Sequence, residues 1–207
     1  MKESKFLLEK EFKEALNFET FPRAKQAYLK AMMESKFKFE GTTNIFKLIE
    51  NVKRKPETIG PYKDLTPFEA LNRIGSDLVL LVGAEKLFKG ENGIKAETIK
   101  LEMGNQNGFD LIIHEKHTNE KILGEAFNVA ESFCILKYST TIKKLLKELN
   151  DNTTKYQDKK LRAAILVNAE REDILRSYTN KKEQEYKDKL DVTIIYCKVG
   201  TLERVRY

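Results

Sequence analysis

Between Thr66 and Asn168 the hydrophobic period changes twice, from a helical repeat to alternation and back, and this constrains the fold more than any other feature of the chain. Thr66-Pro67-Phe68-Glu69 is a helix start with three agreeing signals: Thr as N-cap, Pro at the first helical position, and Glu69 three residues after the cap to close a capping box. A helix is predicted over 66–88, with a stripe of Phe68, Leu71, Leu78, Val82 and Leu87 facing a core, ended by the stretch from Gly90 to Gly93. From Ile94 the period becomes two. Strands are predicted over 96–103, 109–114 and 121–128, joined by the turns Gly104-Asn105-Gln106-Asn107-Gly108 and His117-Thr118-Asn119-Glu120, which makes an antiparallel meander. A long helix follows over 130–149, then a polar loop through Asp158. The almost continuously apolar run 161–168 reads as a strand covered on both faces. A charged helix over 171–189 and a strand over 192–199 close an α/β pattern, a mixed sheet flanked by helices.

The first sixty residues read as helices. Phe6, Leu7, Phe12 and Leu16 fall near helical spacing, and 24–37 and 43–52 repeat the pattern, punctuated by Pro22 and Gly41. Lys55-Pro56 and Gly60-Pro61 mark a connector, so the expected organisation is an N-terminal helical extension over 1–60 on an α/β core over 61–207. A chain of 207 residues suits one domain with such an extension better than two large ones. With 41% hydrophobic and 34% charged residues, the composition is that of a globular protein with a highly charged surface. No apolar run approaches the roughly 20 residues that span a bilayer, and the first residues scatter charges through any would-be leader. The expectation is a cytoplasmic protein with no membrane partner. Cys134 and Cys197 lie far apart in apolar segments, which predicts buried free thiols.

Two carboxylates carry the chemistry. Asp110 is the one acid within Phe109-Asp110-Leu111-Ile112-Ile113, and Glu125 stands alone in Ile122-Leu123-Gly124-Glu125-Ala126-Phe127. Ionised carboxylates are costly to bury unless paired or bound to a metal, so two on neighbouring strands point to a hard divalent cation such as Mg²⁺. The bland alternatives are a turn carboxylate bonding backbone amides at Asp110 and a charge guarding a sheet edge at Glu125.

The order of elements is helix with a Glu, strand, strand with Asp after a Gly-rich turn, strand with Glu, long helix, buried strand. It resembles the PD-(D/E)xK nuclease superfamily, the restriction-endonuclease-like fold, over about 66–168. The resemblance implies that Glu69 is the helix acid, Asp110 the strand Asp and Glu125 the second acid, all around Mg²⁺. It further implies Mg²⁺-dependent hydrolysis of DNA phosphodiester bonds, of restriction or repair type, and pairing as a homodimer. The chain departs from the family at the Lys expected two residues after the second acid, where Phe127 stands. Phe can neither orient nor deprotonate water. Either an amine reaches the site from elsewhere, and Lys137 on the following helix is the residue assigned, with Asn128 and Lys121 as alternatives, or the fold is catalytically degenerate and serves as a nucleic-acid-binding or protein-interaction module. Glu69 is also explained by capping alone, and Asp77 and Glu85 on the same helix are substitutes for it.

For nucleic-acid contact, the amides of Asn105, Gln106 and Asn107 suit base edges, although turn chemistry explains them equally. Lys143, Lys144 and Lys147, continued by Lys155, Lys159, Lys160 and Arg162, form the densest basic stretch, suited to the phosphates of duplex DNA or simply to solvation of a helix. The net charge of +6 is only 38 basic against 32 acidic residues, and decides nothing alone. His114 and His117 read as an exposed hairpin end. No G-x-S-x-G and no phosphate-binding Gly-rich motif occurs, which excludes the hydrolase-triad and nucleotide-loop classes.

Overall fold

The computed structural model describes residues 5–35, 44–104, 108–118, 120–152 and 159–200. The N-terminal part holds β1 (Lys5–Phe6), α1 (Glu9–Phe12), β2 (Leu16–Asn17), α2 (Phe21–Met33), α3 (Ile45–Arg54), β3 (Glu57–Ile59) and β4 (Tyr62–Leu65). Then come α4 (Pro67–Lys89), β5 (Ala96–Leu101), β6 (Leu111–Glu115), β7 (Lys121–Phe127), α5 (Glu131–Asp151), β8 (Leu161–Asn168), α6 (Glu172–Lys182) and β9 (Leu190–Cys197).

The signals at the ends of α4 act as their chemistry dictates. Thr66 Oγ1 accepts the Glu69 amide at 3.3 Å while Glu69 Oε2 accepts the Thr66 amide at 3.1 Å, so two of the helix's orphan donors are satisfied reciprocally. Gly90 ends the helix at φ 78°, a left-handed conformation that a Cβ disfavours. The predicted stripe holds only in part. From Val79 to Ala84 every residue is buried, because this half of α4 is apolar all round and lies within the core. At its other end Phe68 and Leu71 are 50% and 46% exposed, and Ala70, Ile74 and Asp77 turn inward instead.

Six strands form one mixed sheet in the order β2-β5-β6-β7-β8-β9. The first three pairings are antiparallel, and β8 runs parallel to both β7 and β9. Parallel neighbours need long crossovers, which α5 and α6 supply. One apolar cluster lies between one face of the sheet and α4, α2 and α1; the other joins Leu123, Phe127, Ala163, Ile165 and Val167 to Cys134, Tyr138 and Leu145 of α5 and Leu175 of α6. Residues 163–167 of β8 are all buried, as the sequence predicts for a strand covered on both faces. The chain is therefore α/β, a six-stranded mixed sheet flanked by helices.

The first sixty residues are not helical throughout. β1 pairs with β4, and β2 extends the main sheet by pairing Leu16 with Ile99. Phe6, Phe12, Leu16, Phe21, Ala24 and Tyr28 enter the same core cluster as α4, so this segment is built into the sheet's fold. Strands of two residues are too short to show alternation. Cys134 and Cys197 are buried and free, and among the described residues no helix is long and apolar enough to cross a membrane.

Candidate active site

The sheet register decides which acids meet. Leu111 lies opposite Gly124 on the antiparallel β6–β7 pair, so Asp110, just before β6, falls beside the segment of β7 that carries Glu125 and Ala126. The Asp110 carboxylate reaches across to it: Oδ2 accepts the Ala126 amide at 2.8 Å, while the Asp110 carbonyl accepts the Glu102 amide of the β5 side at 2.8 Å. The bond crosses between strands and uses one of the carboxylate's several acceptor positions.

Glu125 is buried, and its Oε1 accepts from Lys144 Nζ, which also donates to the Gly108 carbonyl and sits 4.6 Å from the Phe109 ring centroid. Burial pushes the Asp110 carboxyl up, against the Ala126 amide and the charges of Lys144 and Lys137. Burial also pushes Glu125 up, the charge of Asp110 adds to this, and Lys144 and Lys137 oppose it. Glu125 thus feels the charge of Asp110, and two lysines of α5 stabilise both charges. Lys137 and Lys144 are seven residues apart, close to two helical turns, which sets them on one side of α5.

A cleft of about 670 Å³ opens beside this pair, lined by α4 residues Glu69, Asn72, Arg73, Ser76 and Asp77, by Asp110 and Glu102, and by Ala126, Phe127, Asn128, Phe133 and Lys137. Asp77 is buried against the N-terminal elements: Tyr28 Oη donates to its Oδ2 at 2.7 Å and Tyr62 Oη donates to the same oxygen. Burial pushes its carboxyl up to about 7, outweighing the two tyrosine donors, and the charge of Asp110 acts in the same direction. Arg73 donates to the Gly104 carbonyl at 3.3 Å and lies 5.8 Å from the Tyr62 ring centroid.

The residues singled out by sequence are brought together unequally. Asp110, Lys137 and Glu69 line the cleft while Glu125, paired with Lys144, is not among its lining residues, and Glu69 spends its carboxylate on the cap, which holds its pKa down. Among the described residues no three His, Cys, Asp or Glu side chains group as a metal cage, so Glu69, Asp110 and Glu125 do not form a three-acid cluster. Of the helix acids, Asp77 is the one that senses Asp110, whereas Glu85 pairs with Lys25 and Lys89.

Lys144, assigned to phosphates with Lys143 and Lys147, is instead tied to Glu125; Lys143 and Lys147 are exposed. Arg162 is likewise engaged, bridging Glu115 at 2.5 Å and Glu120 at 2.9 Å. Asn105, Gln106, Asn107 and Lys155 lie outside the described residues. Lys121 is exposed, Asn128 lines the cleft with its Oδ1 accepting from Asn168 at 3.1 Å, and His114 and His117 are exposed. Sequence reading missed the Tyr28–Asp77–Tyr62 group, whose partners come from distant segments, and the role of Lys144, for which the seven-residue spacing from Lys137 was the available signal. Comparison of the chain with protein-family models, with curated proteins and with solved structures finds no match, so its residues and their geometry are the ground for a functional reading.

Proposed function

We propose that this protein is a Mg²⁺-dependent endodeoxyribonuclease, of restriction or repair type, on a restriction-endonuclease-like core. The observation that carries the reading is the placement of the buried acids Asp110 and Glu125 by neighbouring strands, with Lys137 and Lys144 stabilising both charges. The order α4-β5-β6-β7-α5-β8, with a meander followed by a parallel crossover, is the order the resemblance calls for.

The pair fits Mg²⁺. Its donors are hard oxygens, burial opposes the charge of both, the charge of Asp110 further opposes that of Glu125, and a divalent cation offsets these penalties. Mg²⁺ is commonly held by one or two carboxylates, with waters and substrate phosphates completing the shell, so a third protein acid is not required. When bound, the ion polarises the scissile phosphate and lowers the pKa of its water. Asp110 and Glu125 would hold it, Lys144 favours the charged form of Glu125, and Lys137, on the cleft wall, would orient the attacking water in place of the amine that Phe127 lacks. Glu69 remains a helix cap. Pairing of two copies to cut both strands is part of the same resemblance.

A second reading is favoured by Phe127, which is 1% exposed and packs in the core, and by the ion pair that already occupies Glu125. It is a degenerate nuclease fold that binds nucleic acid or protein without cutting. Cleavage of mixed plasmid, linear and single-stranded DNA with Mg²⁺ or Mn²⁺ separates the two. Activity that disappears in Lys137→Ala, with DNA binding retained, supports the first reading, because the missing interaction belongs to the transition state. No cleavage by wild-type protein under any of these conditions rejects it.

A further inference from the structure

Hydrolysis as proposed leaves unused two aromatic side chains on the walls of the cleft. Phe68, at the start of α4, and Phe133, in the first turn of α5, both line it, and they are 50% and 59% exposed. Each is carried by a long helix rather than a loop, and each is at least half exposed. Between them the wall is polar and mixed in charge: Arg73, Lys137 and the amides of Asn72 and Asn128 stand among the acids Glu69, Asp77, Glu102 and Asp110, the last of which is assigned to the metal. Lys53 Nζ lies 5.7 Å from the Phe68 ring centroid and adds a further positive charge at that wall.

We propose that this cleft binds an unpaired DNA strand, its bases stacking on Phe68 and Phe133 and its phosphates drawn to Lys137, Arg73 and Lys53. The inference rests on the nuclease reading and narrows its substrate to DNA with a single-stranded segment, such as a flap, a gap or a frayed end. A duplex presents phosphates and sugar to its surroundings and keeps the π-faces of its bases covered, so a phenylalanine on the cleft wall has nothing to stack on there. An unpaired strand offers both parts at once, a flat apolar base for the ring and a charged phosphate for the cations, which is the pairing that single-strand-binding grooves use. The Asn amides supply donors and acceptors for base edges. At about 670 Å³ the cleft falls within the range of sites that enclose small ligands, roughly 300–1,000 Å³.

The test is equilibrium binding by fluorescence anisotropy with Ca²⁺ in place of Mg²⁺, using a labelled single strand, the same sequence as duplex, and a flapped duplex. A parallel set of strands carries 2-aminopurine, whose emission falls on stacking. The single strand and the flap should bind more tightly than the duplex and show quenching. Phe68→Ala and Phe133→Ala should each weaken single-strand binding by roughly tenfold and remove part of the quenching, with duplex binding unchanged, while Phe133→Tyr should retain it. Both rings are about half exposed, so the alanine variants should fold, which circular dichroism checks. Equal affinity for single strand and duplex, or alanine variants that weaken both alike, would overturn the proposal. So would a dimer in sedimentation that the same variants dissolve, since the rings would then belong to a second copy of the chain. Failure of the nuclease reading looks different: wild-type protein cuts nothing while the stacking result stands.

Discussion

At Asp77 burial competes with two hydroxyl donors and wins, leaving a carboxyl pushed up to about 7 between Tyr28 and Tyr62. In the unfolded chain the group titrates at about 3.9, so the folded state holds its proton more tightly. The stability this contributes is fully present below about pH 4 and is lost as pH rises through about 7. Urea unfolding should therefore show wild-type stability falling relative to Asp77→Asn across that window, by roughly 1.4 kcal/mol for each pH unit in its middle, and levelling above it. A difference that stays flat would mean that Asp77 is solvated. The opposite sign applies at Lys144, which favours the charged form of Glu125. In Lys144→Ala the Glu125 carboxyl should titrate higher, so the acid limb of the cleavage–pH profile should move to higher pH; an unmoved limb would detach Glu125 from the reaction.

Among the elements, what was legible depended on how far apart the contributing residues lie. The capping box at Thr66, the alternation through β5 and β6, and the apolar run of β8 are local signals, and each led to an element at that position, whereas β7 is buried on both faces from Ile122 to Phe127 and does not alternate. The neighbourhood of Asp110 and Glu125 followed from a meander with short turns, because adjacent strands in sequence pair in space. The Lys144–Glu125 pair and the tyrosines on Asp77 did not follow, since no periodicity encodes contacts made between separate elements. One local residue without a pattern is also decisive. A Cβ on Gly124 would stand 2.4 Å from Leu111 Cδ2 and 2.9 Å from the Ala164 carbonyl, so β6, β7 and β8 meet there without room for a methyl group. Gly124→Ala should destabilise the fold by about 1–3 kcal/mol, read as a lower urea midpoint, and an unchanged midpoint would show that the strands can separate there.

Across the whole molecule, the N-terminal elements and the sheet share one core, and through Tyr28 and Tyr62 those elements reach Asp77, which lines the cleft. The positive charge is distributed less freely than the sequence implies, because Lys144 and Arg162 are committed to Glu125, Glu115 and Glu120. Lys143 and Lys147 are exposed, and under the proposed function they are assigned to phosphates. Replacing both with Ala should lower the slope of log affinity for duplex DNA against log salt by about 1.8, since each neutralised phosphate contributes about 0.9. An unchanged slope would place the phosphate-binding surface elsewhere.

Whether Asp110 and Glu125 together hold one divalent cation can be decided without knowing the preferred DNA, by titrating Mn²⁺ into the protein and following water proton relaxation. Wild-type protein should bind Mn²⁺ with enhanced relaxation that Mg²⁺ displaces, and Asp110→Asn and Glu125→Gln should each abolish that binding while the circular dichroism spectrum is retained. Mn²⁺ binding that persists undiminished in both variants, or that is absent from the wild-type protein, would mean that the two carboxylates are not a metal site.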